Sequence, residues 1–533
     1  MQTSGTPRHS TVLILDYGSQ YTQLIARRCR ELGIYSFILP ASATLERIKS
    51  FAPQAIVLSG GPSSVYEAGS PQLPPGFLEY QKQSGTAVLG ICYGMQLLVQ
   101  KLGGRVEKAG SREYGRMLVQ GQAGASLFPE GSFQLWMSHG DETRVVPSGF
   151  AVVANSEAGS IAAIENHEAK LYGLQFHPEV THSEGGTSLL RHFFLTIAGM
   201  KPDWNMGSVL DEQVEKIRTQ VGPQAHVICA LSGGVDSCVA AALVHRAIGE
   251  RLHCVFVDTG LMRFEEGNRV MALFADRLHL PVSRVDAAER FLSKLAGVSD
   301  PERKRKIIGA EFIAVFDDFA ETMSQTLGHL PKFLVQGTLY PDVIESSPAP
   351  GTLGATGSHS VTIKSHHNVG GLPENMRFEL IEPLRDLFKD EVRELGKRLD
   401  VPEEFLKRHP FPGPGLAVRV MGEITPEALT ILRQVDEIFI RELLDGGLYD
   451  KIWQAFAVFL PIKSVGVMGD GRTHDHVVAL RAVTSTDGMT ADWFHFDSAF
   501  LAKVSSKICN EVRGVNRVVY DISSKPPATI EWE

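Results

Sequence analysis

The chain has 533 residues, of which 43% are hydrophobic and 21% are charged. This is the composition of a globular protein, and the length exceeds what one hydrophobic core usually serves, so we expect about three domains. The formal net charge of -9 argues against a protein that binds nucleic acid through a basic surface.

The cysteine pattern and the apolar runs indicate the compartment. The six cysteines include no CxxC pair and no regular spacing, which argues against a disulfide framework and against a zinc ribbon. The polar start of the chain lacks the apolar stretch of a secretory signal. No apolar run approaches the roughly 20 residues of a membrane-spanning helix. We therefore expect a cytoplasmic protein without a membrane partner.

Short apolar runs alternate with amphipathic stretches in residues 10–200, and the clearest runs are TVLILD (11–16), AIVLSGG (55–61) and AVLGICYG (87–94). Strands that alternate with helices predict a parallel sheet covered on both faces. Glycine, proline and asparagine in the segment 199–208 indicate a domain boundary.

The alternation starts again at residue 226 and changes character after the RHPFPGPG stretch at 408–415. We therefore predict an α/β protein with two doubly wound parallel-sheet domains, at 10–200 and 201–408. An α+β domain follows at 409–533, where helical patterns and alternating strands are mixed.

Cys92 lies between Gly90 and Gly94, where a predicted strand gives way to a helix. This is the pattern of a nucleophile elbow, because the glycines allow the tight turn that presents the side chain. A thiol at a helix N-terminus is also favoured as thiolate, the form that attacks carbonyl carbons. Taken alone, the pattern equally fits a small buried hydrophobic residue.

The segment LYGLQFHPEV (171–180) predicts a strand that ends in His177 and Glu179, with the intervening proline holding both side chains on one side. A histidine base oriented by a carboxylate is what a cysteine nucleophile requires. The glycine turn VLSGGP (57–62) supplies backbone N–H groups that, with the amide of Tyr93, predict an oxyanion hole.

Together, GICYGMQ and QFHPEV resemble the class I, triad-type glutamine amidotransferases over about residues 10 to 200. The resemblance implies that Cys92 forms a glutamyl thioester, that His177 is the base, that Glu179 orients it, and that ammonia is released. It also implies a set of residues that hold glutamine or its oxyanion: Gly61, Tyr93, Gln96, Ser138, His139, Gly140 and Asp141.

A second motif, ALSGGVDS (230–237), follows an apolar strand and opens a helix. Its amides and hydroxyls can enclose a phosphate there, although a Gly–Ser stretch can also be only a tight turn. It lacks the GK[ST] ending of a Walker A loop. It instead resembles the pyrophosphatase-type ATP loop of adenine-nucleotide α-hydrolase-like domains, which cut ATP between the α and β phosphates. The predicted ATP contacts in this stretch are Ser232, Gly233, Gly234, Val235, Asp236, Ser237 and Cys238.

Asp236 places a negative charge beside the predicted triphosphate, an arrangement that implies Mg²⁺ between them. The sequence does not reveal the other magnesium ligands. The next strand, CVFVDTG (254–260), ends at the edge where open sheets bind ligands, so Val257 and Asp258 are candidates for contacting the adenosine.

An amidotransferase joined to an adenylating loop requires an acceptor oxygen that becomes linked to AMP. This pairing resembles the glutamine-hydrolysing GMP synthetases, and the similarity continues through RKIIG (305–309), IKSHHNVGGLP (363–373), HPFPGPGLAVRV (409–420) and KPPATIEWE (525–533). The resemblance implies that XMP O2 attacks the α-phosphate of ATP and that ammonia then aminates C2, giving GMP, AMP and pyrophosphate. It also implies a homodimer formed through the C-terminal domain.

The same resemblance implies further ligands of XMP. Arg305 and Lys525 would contact its phosphate, and Glu531 its base or ribose. Most charges of the basic run 301–306 are expected to lie on a solvated helix face. The segment 345–373, rich in Gly, Ser, Pro and His, predicts either a lid or a solvated loop. The resemblance places three of its residues against the nucleotides: Lys364, His366 and His367.

Two rival functions share these motifs. An enzyme that modifies a tRNA base would keep the ATP loop, but the acidic charge and the amidotransferase motifs argue against it. A glutamine or nucleotide sensor that has lost catalysis would keep the fold, and only a measurement separates it from an enzyme.

Overall fold

The computed structural model describes residues 9–278, 280–345, 378–468, 471–485 and 490–533. The described chain forms two compact units, the first reaching Val209 and the second starting at Leu210. Within these residues, no helix is long and apolar enough to cross a lipid bilayer. The expected domain boundaries at 200/201 and 408/409 remain predictions.

The first unit is built around one sheet. Its strands are β1 (Thr11–Asp16), β2 (Tyr35–Pro40), β3 (Ala55–Leu58), β4 (Ala87–Ile91), β5 (Arg105–Gly121), β6 (Gly131–Val145), β7 (Ala151–Ser156), β8 (Ile161–Asn166) and β9 (Leu171–Leu174). Its helices are α1 (Thr22–Glu31), α2 (Leu45–Ser50), α3 (Phe77–Ser84), α4 (Tyr93–Lys101) and α5 (Gly186–Arg191), and α6 (Met206–Val221) leads into the second unit.

The strand order of this sheet is β2-β1-β3-β4-β9-β8-β7-β5-β6. Neighbours from β2 to β9 pair in parallel, and every later pair is antiparallel. The central parallel strands β3 and β4 are continuous apolar runs that are buried at every residue, as expected where helices cover both faces of a sheet. The β5–β6 hairpin extends this sheet beyond the predicted parallel core.

The strands of the second unit are β10 (Val227–Leu231), β11 (Leu252–Asp258), β12 (Val282–Asp286), β13 (Phe333–Val335), β14 (Glu379–Ile381), β15 (Gln454–Met468), β16 (Gly471–Thr484), β17 (Asp492–Trp493) and β18 (Val515–Tyr520). Its helices are α7 (Val235–Ile248), α8 (Glu266–Leu273), α9 (Ala288–Leu295), α10 (Pro301–Leu327), α11 (Tyr340–Glu345), α12 (Lys389–Arg398), α13 (Glu403–Leu406), α14 (Pro426–Asp445) and α15 (Ser498–Glu511).

Two sheets form in this unit. The first is fully parallel in the order β12-β11-β10-β13-β14, as expected for a doubly wound fold. In the second, β15, β16 and β17 pair antiparallel, and β18 joins β16 in parallel. One apolar core runs through both sheets, since Ile228 and Val255 belong to the same cluster of buried residues as Val478 and Leu480.

The long helices of this unit begin and end at sequence signals that can be identified. At α10, the Asp300 side chain accepts a hydrogen bond from the Arg303 amide, Pro301 occupies the first turn, and Gly328 ends the helix with φ of 74°. At α14, Thr425 and Pro426 have the same roles at the N-terminus. Such caps satisfy N–H groups that the first helical turn leaves without partners.

Candidate active sites

Cys92 occupies the sharp turn between β4 and α4, with φ of 51° and ψ of -106°. A side chain at Gly94 would place its Cβ 2.2 Å from the carbonyl oxygen of Leu58, and one at Gly90 would lie 2.6 Å from the backbone of Gly94. Both positions therefore require glycine. A positive φ at a non-glycine residue is strained, and the packed glycine turn maintains that strain while presenting the sulfur.

His177 and Glu179 form a buried pair beside this cysteine, with His177 Nδ1 2.7 Å from Glu179 Oε1. The predicted strand is shorter than expected: β9 ends at Leu174, and both residues lie in the turn that follows. The reason is that the backbone of His177 bonds elsewhere. Its amide donates to the Trp136 carbonyl at 2.9 Å, and its carbonyl accepts from Ser183 Oγ at 2.6 Å.

The environment of His177 favours its protonated form. Burial alone would lower the pKa of the imidazole, but the Glu179 carboxylate and the hydrogen bond with Cys92 outweigh burial and raise that pKa well above its usual value. A protonated imidazole beside the sulfur stabilises a thiolate, so the pair is suited to nucleophilic attack.

The glycine turn after β3 approaches the triad closely. A Cβ at Gly60 would lie 3.1 Å from His177 Cε1, and one at Gly61 would lie 2.6 Å from the Tyr17 carbonyl oxygen. Tyr93 begins α4, where amides have no partner within the helix. An oxyanion hole formed by the amides of Gly61 and Tyr93 remains a prediction. It requires the backbone of the glycine turn to lie close to Cys92 and His177.

The predicted glutamine-binding residues Ser138, His139, Gly140 and Asp141 all lie in β6. Ser138 approaches the nucleophile, since its carbonyl oxygen is 3.7 Å from Cys92 Sγ. Gln96 Nε2 donates to the Asp141 carbonyl oxygen at 3.0 Å. β6 therefore contacts both the cysteine and the helix that follows it.

His139 is held by the protein at both ring nitrogens. Its Nδ1 lies 3.0 Å from the Asp141 carbonyl oxygen, and its Nε2 lies 2.9 Å from Glu113 Oε2. Ser156 Oγ donates to the other oxygen of Glu113 at 2.6 Å. Both imidazole nitrogens of His139 are therefore engaged by protein atoms, and its predicted role in glutamine binding remains a prediction.

The predicted phosphate loop joins β10 (Val227–Leu231) to α7 (Val235–Ile248). Ser232 Oγ and Ser237 Oγ lie 3.0 Å apart across the loop, and the Gly234 amide donates to Ser232 Oγ at 3.3 Å. Gly233 has φ of 75°, and a Cβ there would approach Val270 to 2.9 Å. Arg408 donates to the Gly233 carbonyl at 2.6 Å. The loop is thus preformed, and Val235 begins the helix directly behind it.

Asp236 fits the expected magnesium site. Its Oδ2 accepts from Lys389 Nζ at 3.3 Å, whereas its Oδ1 is buried without a hydrogen-bond partner. An unsatisfied carboxylate oxygen beside a phosphate loop is a suitable ligand for a hard cation. Within the described residues, no group of three or more His, Cys, Asp or Glu side chains forms a ready metal site.

The remaining predicted ATP contacts differ in their accessibility. Cys238 is fully buried, burial raises the pKa of its thiol to about 12, and its amide already donates to the Gly234 carbonyl. It therefore packs beneath the loop. Val257 and Asp258 end β11 as expected, and Asp258 Oδ2 accepts from Arg284 at 2.6 Å.

The predicted XMP ligands lie in different settings. Arg305 pairs with Glu302 at 2.6 Å on α10. The backbone of Lys525 bonds to Ala491 in both directions. Glu531 accepts from Arg419 at 2.9 Å and from Gln454 at 2.6 Å. Lys364, His366 and His367 lie outside the described residues.

One residue of the basic run departs from the solvated face that the sequence predicts. Lys304 is fully buried, and its ammonium donates to the carbonyl oxygens of Ala417 and Val420 and to Glu533 at 2.5 Å. Burial lowers the pKa of this amine, and the Glu533 carboxylate opposes that effect. A buried cation with three oxygen partners fixes the chain around Glu533 to α10.

Comparisons with known proteins identify the family of the chain. The family model described as "Glutamine amidotransferase class-I" matches residues 13–197, and the one described as "GMP synthase C terminal domain" matches residues 441–532. A protein of Nitrobacter hamburgensis named "GMP synthase [glutamine-hydrolyzing]" is 54% identical over 98% of this chain and 96% of its own length. The chain belongs to the glutamine-hydrolysing GMP synthase family.

A second GMP synthase, from Chlorobium phaeovibrioides, is 56% identical over 98% of this chain and 100% of its own. Among solved structures, a glutamine amidotransferase from Thermotoga maritima is 22% identical, covers 36% of this chain and 99% of its own, and has a TM-score of 0.29. Membership of the GMP synthase family confirms the resemblance that the motifs indicate, and with it the ligase class and the predicted α/β fold.

Proposed function

We propose that this chain hydrolyses glutamine at Cys92 and uses ATP to convert XMP to GMP, AMP and pyrophosphate. Relatives named for GMP synthesis align over 98% of the chain. The observation that carries the proposal is that one chain combines the His177–Glu179 pair beside Cys92 with a preformed phosphate loop, since neither feature alone would imply amination driven by ATP.

In the glutaminase step, the Cys92 thiolate attacks the side-chain amide carbon of glutamine, and backbone N–H groups of the Gly61 turn and of Tyr93 stabilise the oxyanion. Protonated His177 gives its proton to the departing nitrogen, which leaves as ammonia. The glutamyl thioester remains, and water activated by His177 then releases glutamate. Glu179 holds the imidazole in position throughout, as their 2.7 Å contact implies.

In the synthetase step, the loop from Ser232 to Ser237 binds the phosphates of ATP at the N-terminus of α7. XMP O2 attacks the α-phosphorus, and the bond to pyrophosphate breaks. Ammonia then attacks C2, and AMP leaves with the former O2. Asp236, whose Oδ1 has no hydrogen-bond partner, would hold Mg²⁺, and the cation would offset the charge of the phosphates.

For XMP, we propose Glu531 as the acceptor for base or ribose donors, with Arg305 and Lys525 facing the phosphate. Arg419 is fully buried and binds both oxygens of Glu531, so it holds this carboxylate in place. The proposed lid residues, Lys364, His366 and His367, would close over the nucleotides and exclude water from the adenylate. We also propose a cytoplasmic location, which agrees with six unpaired cysteines.

The direct test is to incubate purified protein with ATP, Mg²⁺, XMP and glutamine and to separate the nucleotides. We expect GMP, AMP and pyrophosphate in equal amounts, and no AMP when XMP is omitted. ADP and orthophosphate in place of AMP and pyrophosphate would contradict the assignment of the second site. Stimulation by tRNA in place of XMP would favour the tRNA-modifying alternative.

We further propose that the long β15–β16 hairpin pairs with a second copy of the chain. Three apolar side chains on β15 are strongly exposed: Ile462 by 56%, Val465 by 57% and Val467 by 74%. Exposed apolar residues grouped on one strand are typical of a protein interface. The match to the GMP synthase C-terminal family covers this hairpin.

Replacing Val465 and Val467 together by lysine should convert the dimer to a monomer near 58.3 kDa, because two charges would be buried in the interface. Sedimentation velocity measures the change. Leu330→Lys is the matched control, since this leucine is 49% exposed in the loop before β13. A wild-type protein that sediments as a monomer would refute the proposal.

A further inference from the structure

Gln175 lies beside the nucleophile because of strand register. β9 pairs in parallel with β4, with Leu174 opposite Ile91, so the next residue of each strand is also adjacent. The Cys92 amide donates to the Leu174 carbonyl at 2.7 Å, which keeps the two chains together past the last paired residues. Gln175 is fully buried, and its Nε2 lies 3.7 Å from Cys92 Sγ.

The direction of this contact follows from a chain of hydrogen bonds. The Asp141 carbonyl can only accept, so the group of Gln96 that faces it at 3.0 Å is the NH₂. The same NH₂ lies 3.1 Å from the side chain of Gln175, which must present its oxygen there. The NH₂ of Gln175 therefore faces the sulfur. If the Gln96 amide were rotated by 180°, its oxygen would face the Asp141 carbonyl oxygen. If the Gln175 amide were rotated, its NH₂ would face the NH₂ of Gln96.

We propose that Gln175 is a further catalytic residue of the glutaminase site, whose side-chain N–H stabilises the Cys92 thiolate. Gln96 acts through it as a positioning residue. This inference rests on the proposed function and adds to it a neutral donor on the reacting sulfur, besides the ionised histidine.

Other charged and polar groups affect the sulfur directly or through a neighbour. His177 stabilises the thiolate directly. Glu179 acts through its contact with His177, and Arg28 donates to the Glu179 carbonyl at 3.0 Å. The Ser138 carbonyl, 3.7 Å from Sγ, acts in the opposite sense, because it accepts from a thiol and repels a thiolate. The N–H of Gln175 offsets this repulsion. Removing it should therefore shift the sulfur toward the protonated form.

The test compares Gln175→Met and Gln175→Glu with wild type in the full-length protein. The rate of Cys92 alkylation by iodoacetamide is measured against pH, and a Cys92→Ala sample corrects for the other cysteines. We expect the midpoint of this rate–pH profile to rise by about one pH unit in Gln175→Met, because one hydrogen bond to a charged group is lost. It should rise further in Gln175→Glu, where a carboxylate faces the sulfur.

Steady-state kinetics give a second readout. Glutaminase kcat should fall about tenfold in Gln175→Met, while the KM for glutamine changes by less than about twofold. GMP formation from added ammonium should be unchanged. Should the chain make no GMP at all, the alkylation profile still reports on Gln175, so the two proposals fail separately.

Gln81→Met is the matched control. Gln81 is also buried in the first unit, where its Nε2 donates to the carbonyls of Thr86 at 3.0 Å and Ala169 at 2.8 Å. It should lose stability but keep the alkylation midpoint of wild type. If Gln175→Met does not fold, Gln96→Met tests the same series of hydrogen bonds. This variant removes the donor that holds the side-chain oxygen of Gln175. A folded variant with an unchanged midpoint, or an equal shift in Gln81→Met, would overturn the inference.

Discussion

Replacing Cys92 by alanine is expected to abolish GMP formation from glutamine and to leave GMP formation from added ammonium intact. The variant removes the sulfur that forms the thioester, so glutamine-dependent activity should fall at least about 10³-fold. Alanine retains the Cβ, so the strained backbone at φ of 51° keeps the same cost in the folded protein. GMP is measured chromatographically with either nitrogen source.

Cys29→Ala is a suitable control, because Cys29 is a fully buried cysteine of α1 in the same unit. Burial raises the pKa of its thiol, so the thiol is unreactive, and both activities should survive its loss. Loss of ammonium-dependent synthesis in Cys92→Ala would contradict two separable sites. If the unmodified chain binds glutamine but never releases ammonia, it is a sensor rather than an enzyme.

Replacing Asp236 by asparagine is expected to lower XMP-dependent pyrophosphate release at least about 10²-fold, the effect typical of losing one electrostatic group at a reacting phosphate. The amide has almost the same shape but no charge. Loss of the charge weakens the proposed cation site at Asp236 and removes the ion pair with Lys389. Equilibrium binding of ATP should also become less dependent on Mg²⁺.

The control for this charge change is Asp450→Asn. Asp450 is an exposed aspartate whose contact with Lys407 resembles that of Asp236 with Lys389, but it lies far from the phosphate loop in sequence. The expected result is wild-type pyrophosphate release. Asp236→Asn with the melting temperature and pyrophosphate release of wild type would remove the loop from the proposed chemistry.

Local sequence was enough to predict the parts of the site that depend on short spacing. The glycines around Cys92 predicted the elbow, and the His177–Glu179 contact needs only two residues of separation. The end of β9 is harder to predict, because the His177 amide donates to the carbonyl of Trp136, which belongs to another strand. A strand pattern cannot show which carbonyl will accept a given amide.

Contacts that depend on long-range packing had no local signal. Gln175 is one of four buried glutamines in the described residues, and its register against β4 is what brings it to the sulfur. Lys304 stands in a basic run that predicts a solvated helix face, and its burial depends on oxygens more than a hundred residues away. Likewise, the antiparallel strands from β5 to β8 extend a sheet whose parallel half alone was predicted.

The apolar cluster that contains both Ile228 and Val478 limits how the two sheets of the second unit can be recombined with those of homologues. Because the two sheets of the second unit share their interior, neither has a complete hydrophobic surface of its own to carry into another scaffold. Exchanging residues 409–533 between homologues would therefore require matched side-chain volumes along the whole seam.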